Sequence, residues 1–392
     1  PTVQATPSSS SGSSASGAVS VNWLNCLASK RVIRSVCLAL MALMGLWLLH
    51  NWFSSSQSML GPVTWTKYKA DAVPVAMATT AAARPTRPTN TTASELADPA
   101  SLASRLAKSN LPACPEDPPG LLGNKIPVKS DPSLAPTWAE LQSTLSYIRH
   151  GGCQPEHCVA RQRVAIIVPY RNRDPHLRLL MSSLHPLLRR QQLDYRIFVV
   201  EQAGTTRFNR GLLFNIGFVE SAKIFPAYCY IFHDVDLLPE NDHNMYRCGA
   251  NPRHLGAEIS SFGYKLPYGA YFGGACALTA EQYRKMNGFP NIYFGWGAED
   301  DDFGFRVAWA GYKVARYPPG IARYKMIKHN RDAHNEADPK RIKYLEQSKK
   351  RWKEDGLNSM QYNVIGVQDR QLVYFISVEI SEEAIRRRAH LT

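Results

Sequence analysis

Four consecutive acids, Glu299, Asp300, Asp301 and Asp302, follow an aromatic stretch laced with glycine, Gly288-Phe289-Pro290-Asn291-Ile292-Tyr293-Phe294-Gly295-Trp296-Gly297-Ala298. A run of acids is ordinarily a solvated face. This one abuts Trp296, whose flat ring and single N–H suit stacking against a sugar, and glycines that let a backbone approach a ligand closely. Carboxylates hydrogen-bond hydroxyls, and crowded carboxylates raise one another's pKa, which suits a general base. The local chemistry is that of a polyol site with a catalytic acid among Glu299, Asp300 and Asp301.

A second cluster is Asp234-Val235-Asp236, which closes the apolar run Tyr228–Phe232 and His233. Alternate residues of a strand point to one side, so both carboxylates can face one ligand. Two acids there suit a hard divalent cation that holds phosphates. Arg171, Arg173 and Arg210 could add positive charge for a diphosphate, although each alone reads as a surface ion pair. Met326 and His329 form a third candidate. Imidazole suits transition metals, whereas a methionine is more often core packing.

The elements that must position these groups are legible as strand–helix alternation. Arg163–Tyr170 (RVAIIVPY) is a short apolar β-branched run, as expected of a buried parallel strand. Leu177, Leu180, Leu184, Leu187 and Leu188 recur after it at helical spacing. Tyr195–Val200 reads as a second buried strand, Asn209–Phe218 as a helix start, and Tyr228–Phe232 as a third strand. Such repetition predicts a parallel, right-handed α/β unit, with ligands at the carboxyl ends of its strands. Pro169-Tyr170-Arg171-Asn172-Arg173 and Asp234-Val235-Asp236 both fall there. The polar stretch Asn330–Lys349 reads as a mobile lid or as a solvated loop before an exposed helix.

The region ahead of this unit is of another kind. Residues 1–35 carry a Ser/Ala/Gly-rich stretch expected to be disordered. Val36–Phe53 is apolar, with no charge between Arg34 and Lys67. Lys30, Arg31 and Arg34 precede it, and Trp47 and Trp52 sit near its end, as in an uncleaved signal-anchor. A cleaved signal peptide is the alternative, but no small-residue cleavage site follows. The anchor would leave everything after Phe53 lumenal or extracellular. Residues 54–110, rich in Ala, Thr, Pro and Ser, read as a disordered stalk, with Asn90 in an N-glycosylation triplet. The globular part would run from 111 to 392.

Six cysteines lie in that part: Cys114, Cys153, Cys158, Cys229, Cys248 and Cys276. They match no zinc spacing, and in an oxidising lumen they predict disulfides, with fifteen pairings open. The formal charge of +14 on 392 residues would fit nucleic acid or an anionic substrate. No zinc finger, RNA-binding signature or lysine-rich block supports nucleic acid, so an anionic substrate such as a nucleotide is the better fit.

Taken together, these blocks resemble the β-1,4-galactosyltransferase family. The resemblance is carried by Leu111-Pro112-Ala113-Cys114-Pro115, VAIIVPYRNR (164–173), RQQLDY (190–195) and FNRGLLFNIGF (208–218). DVDLLPENDHNMYRC (234–248), YFGGACALT (271–279), GFPNIYFGWGAEDDD (288–302), MIKHNRDAHNE (326–336) and DGLNS (355–359) extend it over roughly 111–380. It implies a GT-A-like, Rossmann-type nucleotide-sugar transferase domain behind a single transmembrane helix and stem, in a type II Golgi membrane protein, with a soluble secreted form if the stem is cleaved. The reaction implied is inverting transfer of galactose from UDP-galactose to the 4-hydroxyl of terminal N-acetylglucosamine on glycoprotein glycans, with Mn²⁺.

The resemblance also implies roles. Asp236, Met326 and His329 would hold the metal. Pro169, Tyr170, Arg171, Arg173, Phe208, Arg210, Asp234 and Val235 would line the nucleotide site, and Trp296 and Glu299 would contact the donor sugar. Asp300 would be the base, and Asp301 would hold acceptor hydroxyls. Tyr268, Tyr271, Arg341, Ile342 and Leu345 would shape the acceptor and sugar pocket. Implied disulfides are Cys114–Cys158 and Cys229–Cys248. Two residues depart from the family pattern: Ala298, where glycine is usual, and Ile342, where an aromatic is common. Tyr271 goes with galactose rather than N-acetylgalactosamine. The alternatives are an N-acetylgalactosaminyltransferase, a galactosyltransferase for glycolipid or proteoglycan acceptors, or a lectin-like protein that binds sugar without transferring it.

Overall fold

The computed structural model describes residues 99–329 and 333–389. Two short helices come first, α1 (Pro99–Ala107) and α2 (Trp138–Thr144). Helix α1 lies inside the stretch read as stalk, so helical order begins earlier than composition suggests. Arg105 anchors it, donating to the carbonyl of Ala160 at 2.8 Å. The candidate anchor 36–53 and Asn90 lie outside the described residues, among which no helix is long and apolar enough to cross a membrane.

The expected alternation follows: β1 (Arg163–Tyr170), α3 (Asp174–Arg190), β2 (Asp194–Gln202), α4 (Arg210–Ile224) and β3 (Cys229–His233). Strand β1 pairs in parallel with β2 on one side and β3 on the other. Both of its faces are covered. Val164, Ile166 and Val168 share a core with Leu177, Leu180 and Leu184 of α3. Ala165 and Ile167 pack with Leu212, Leu213 and Ile216 of α4. The period of two survives as a choice between two apolar layers, which is why the run shows no polar alternation. Helix α4 starts where Asn209 caps it, accepting from the Leu212 amide at 2.9 Å.

Short elements then build outward: β4 (Leu237–Pro239), β5 (Arg253–His254), β6 (Glu258–Ile259), β7 (Ala275–Thr279), α5 (Ala280–Lys285), α6 (Glu299–Trp309), β8 (Ala315–Arg316) and β9 (Arg323–Met326). The chain continues through α7 (Arg341–Glu346), α8 (Ser348–Arg351), β10 (Asn363–Asp369), β11 (Tyr374–Glu379) and α9 (Glu382–Arg388). The main sheet has the order β10-β11-β2-β1-β3-β7-β5-β8, and β4-β9-β6 form a second sheet. Strand β7 runs antiparallel to β3, so the sheet is mixed rather than wholly parallel.

Aromatic packing sets α6 against β3. Phe303 of α6 stacks on Phe289 with ring centroids 3.7 Å apart, and both meet Phe232 of β3 edge-on. The acids that open α6 are thereby held close to the carboxyl end of β3. Of the fifteen possible pairings, the structure has Cys114–Cys158 and Cys229–Cys248, as the resemblance implied. Cys153 is half-buried and Cys276 buried, both as free thiols.

Candidate active site

The carboxyl end of β3 and the start of α6 converge on one guanidinium. Arg210, the first residue of α4, donates from Nε to Asp234 Oδ1 at 2.6 Å and from Nη1 to Glu299 Oε1 at 3.2 Å. Its Cζ lies 4.7 Å from the Phe214 ring centroid, so the charge is backed by an aromatic face. Burial opposes that charge, but Asp234, Glu299 and Asp300 together raise its pKa. The acids after β3 and the acids that open α6 are thus bridged by one side chain.

The carboxylates answer to the same environment. Burial raises Glu299 to about 7, with the Asp300 charge adding to it and Arg210 opposing. Its second oxygen, Oε2, is buried with no hydrogen-bond partner among the described residues. Burial pushes Asp300 up to about 6; Arg210 pulls it down, while Asp301 and Asp234 push it further up. The four acids occupy the first turn of α6, where the helix dipole favours negative charge. They do not share one fate. Asp302 turns inward, accepting from Arg306 Nε at 2.8 Å and from the Tyr293 hydroxyl at 3.0 Å, and is a structural acid.

Asp300 faces Tyr271 across Gly273. A Cβ placed on Gly273 would lie 2.4 Å from Asp300 Oδ2 and 2.7 Å from Tyr271 Oη. No flexible neighbour can absorb that overlap without moving one of the two polar groups. Gly273→Ala is therefore expected to lower kcat by about 100-fold, the scale of a displacement near 1 Å at a reacting group, with little loss of melting temperature. Steady-state kinetics beside a thermal melt check this, and wild-type kcat would refute it. Sequence reasoning had missed Gly273, although its signal was present in the paired glycines after Tyr271-Phe272.

On the acceptor side, Tyr268 donates to Asp301 Oδ1 at 2.5 Å, and its ring meets Tyr271 edge-on at 5.6 Å. Trp296 is 56% exposed and Ile342 50% exposed. Around Trp296 the backbone is left-handed at Gly295, Gly297 and Ala298, with φ of 83°, 98° and 80°. For Ala298 that conformation costs about 1–2 kcal/mol. Its methyl is buried in a small cluster with Ile292, Tyr293 and Tyr344. The departure from the family's usual glycine thus ties the Trp296 turn to α7, which carries Arg341, Ile342 and Leu345. Leu345 packs against the same cluster.

The nucleotide-side residues gather at the end of β1. Pro169 and Tyr170 close the strand, both buried. Arg171 donates to the carbonyls of Thr206 at 2.6 Å and His334 at 3.1 Å, and its Cζ sits 5.1 Å from the Phe208 ring centroid. Val235, in the turn between Asp234 and Asp236, packs partly against the main core.

Asp236, Met326 and His329 also come together. Asp236 Oδ2 lies 2.9 Å from His329 Nε2, and Met326 pairs with Leu237, the residue after Asp236, in the β4–β9 ladder. Neighbouring ligands on a small divalent ion stand about 3 Å apart, so the carboxylate and the imidazole fit one cation. The thioether is a soft donor. Among the described residues no three of His, Cys, Asp or Glu gather as a metal site; two plus a methionine is what this site offers. Arg173 donates to His329 Nδ1 at 2.8 Å and to His176 Nε2 at 3.1 Å. His176 was not singled out from the sequence; its spacing of three from Arg173 near the start of α3 was the available signal. The lid candidate divides: residues 330–332 are outside the description, 333–340 lack regular structure, and α7 follows.

Arginines suit phosphate, and acids beside an exposed tryptophan suit a sugar, so the arrangement fits a nucleotide-sugar ligand. Residues 114–249 match the N-terminal region of glycosyl transferase group 7, and residues 253–330 match the N-terminal domain of galactosyltransferase. The chain is 46% identical to rat β-1,4-galactosyltransferase 4 over 275 residues, 70% of this chain and 79% of the relative. It is 46% identical to human β-1,4-galactosyltransferase 3 over 285 residues, 72% of each. A Drosophila β-1,4-galactosyltransferase 7 mutant solved with manganese, UDP-Gal and xylobiose aligns at 30% identity with a TM-score of 0.49, over 56% of this chain and 94% of that one. The chain belongs to the β-1,4-galactosyltransferase family, and its architecture is mixed α/β, as expected.

Proposed function

We propose that this enzyme transfers galactose, with inversion, from UDP-galactose to the 4-hydroxyl of terminal N-acetylglucosamine on glycoprotein glycans, in a Mn²⁺-dependent reaction. The observation that carries the reading is the Arg210 bridge from Asp234 to Glu299. It holds the acids after β3 and those at the start of α6 within the span of a single side chain, which suits a donor with a diphosphate at one end and a sugar at the other. Family membership at 46% identity supports the same reaction.

Each group then has a part. Arg171, Arg173 and Arg210 offset the charge of the diphosphate. Glu299, with an oxygen that accepts from nothing among the described residues, takes a hydroxyl of the donor sugar. Trp296 gives that sugar a flat face. Asp300 accepts the proton of the acceptor 4-hydroxyl as that oxygen attacks the anomeric carbon from the side opposite the departing UDP. Asp301, already bonded to Tyr268, orients a neighbouring hydroxyl. Asp236, Met326 and His329 would hold Mn²⁺, which supplies Lewis-acid neutralisation of the leaving diphosphate. Tyr271 fills the pocket beside Asp300, which favours galactose over the bulkier N-acetylgalactosamine. The sequence ahead of the catalytic domain supports a single-pass type II protein of the Golgi membrane.

A base with a raised pKa is protonated at a higher pH than usual. Turnover should therefore fall as pH drops through about 6, the value of Asp300, by about tenfold per further unit if one ionisation governs. A kcat–pH profile between 4.5 and 8 tests this; a flat profile down to pH 4.5 would remove Asp300 as base. The function itself is tested by offering UDP-galactose and UDP-N-acetylgalactosamine with N-acetylglucosamine, glucose and xylose acceptors, with and without Mn²⁺. Metal-dependent galactose transfer to N-acetylglucosamine is the expected result. A preference for the other donor would overturn the reading of Tyr271.

A further inference from the structure

Beneath the Asp234–Asp236 turn lies a buried chain of polar side chains that the reaction does not use. His233 ends β3, Tyr246 sits in the segment after β4, and Tyr324 lies on β9 two residues before Met326; all three are fully buried. His233 Nδ1 is 2.8 Å from the Asp234 carbonyl oxygen, and Nε2 is 2.9 Å from Tyr246 Oη. Tyr246 Oη is 2.8 Å from Tyr324 Oη.

The proton positions follow from the acceptor at one end. A carbonyl oxygen only accepts, so Nδ1 carries the proton of a neutral His233 and donates it. Nε2 then accepts from the Tyr246 hydroxyl, whose oxygen accepts from Tyr324. Burial keeps His233 neutral, lowering its pKa to about 4. On its other side Asp234 is fixed by its amide, which donates to the Gly274 carbonyl at 2.9 Å. The chain therefore runs from the strand that carries Met326 to the peptide that carries Asp234. On β9, Tyr324 and Met326 share a face.

We propose that Tyr246 is a positioning residue for the metal site, its hydroxyl setting the spacing between the Asp234–Asp236 turn and the Met326 strand. The proposal rests on the reading of Asp236, Met326 and His329 as metal ligands. Groups that orient ligands from behind typically govern affinity by 10–100-fold.

The experiment measures Mn²⁺ binding to the full chain in detergent, by electron paramagnetic resonance of free Mn²⁺, with a thermal melt of each variant. Tyr246→Phe is expected to weaken Mn²⁺ by about 10–100-fold, with kcat largely recovered at saturating metal. Tyr195→Phe is the control. It removes another buried hydroxyl, bonded to His185 at 2.8 Å, and should lower the melting temperature without weakening Mn²⁺. Tyr324→Phe cuts the far link and should give a smaller loss of affinity than Tyr246→Phe; it carries the test if Tyr246→Phe does not fold. Wild-type Mn²⁺ affinity in these two phenylalanine variants, with only a lowered melt, would overturn the proposal. Asp236→Asn separates the two levels. If it retains Mn²⁺ binding, the ligand reading fails; if it loses binding while Tyr246→Phe does not, only the positioning role fails.

Discussion

Asp300→Asn is expected to lower kcat by about 10²- to 10⁴-fold, the range for loss of a positioned general base, while donor KM changes little. The asparagine keeps the shape of the carboxylate and so fits the same space beside Gly273 and Tyr271. It loses the capacity to take a proton from the acceptor hydroxyl. A second signature follows from the charge. Asp300 contributes to the raised pKa of Glu299 and of Tyr271, so its removal should lower that of Glu299. Residual activity in the variant should therefore show an acid limb moved to lower pH. Stopped-time transfer assays and isothermal titration with UDP-galactose separate turnover from binding. If more than a tenth of kcat survives, the base is another acid. If donor binding disappears as well, Asp300 acts in binding rather than proton transfer.

Arg210→Met should damage both stability and donor binding. The side chain lies between two carboxylates that are largely enclosed, with Asp234 and Glu299 side chains 26% and 10% exposed. Removing one partner of a buried pair leaves an uncompensated charge, at a cost of about 3–5 kcal/mol when burial is complete; partial exposure places this site near the lower end. The carboxylates would respond by taking up protons, because burial already raises their pKa values and Arg210 is what opposes that rise. Thermal melts should therefore show a larger deficit at pH 8 than at pH 5.5. The sign follows from the charge: protonation at low pH relieves the unpaired acids and recovers part of the loss. Donor KM should rise by at least tenfold, since a charge-assisted contact to the diphosphate is lost as well. Unchanged stability and KM would mean that the two carboxylates find another cation, and that the bridge is incidental to the site.

Much of this site was legible in the chain because its strands are continuous apolar runs. Arg163–Tyr170 and Tyr228–Phe232 announce buried parallel strands, and the residues that follow them must lie at the ligand-binding edge. The acidic run was visible too, but the division of labour within it was not. Consecutive helical residues point in different directions: the i,i+4 spacing brings Asp302 to Arg306, while the packing of Phe303 against Phe289 sets how the helix is turned toward the rest of the site. The metal ligands posed a longer-range problem. Asp236 and His329 are brought together by the β4–β9 pairing, and neither three-residue β4 nor four-residue β9 carries a readable period. Two-residue strands such as Arg253–His254 leave even less trace. Strand β10 is mostly exposed on both faces, so burial left no pattern in it. The acceptor residues on α7 came from family resemblance, since nothing in their spacing distinguishes a sugar pocket from an ordinary solvated helix.

The Cys229–Cys248 bridge has a consequence for how the site can be unmade. It joins the first residue of β3 to the segment that delivers Tyr246, and its loop of 19 residues removes about 3 kcal/mol of chain entropy from the unfolded ensemble in the loop-closure picture. The scaffold behind the proposed metal ligands is therefore held by a covalent cross-link that does not depend on an ion. On the proposed reading, a chelator would strip the cation and leave an intact receptacle that could be refilled at once. A thiol reductant attacks the receptacle itself, so adding metal back would not by itself undo the damage. Two reagents that both silence the enzyme would do so by routes of opposite reversibility.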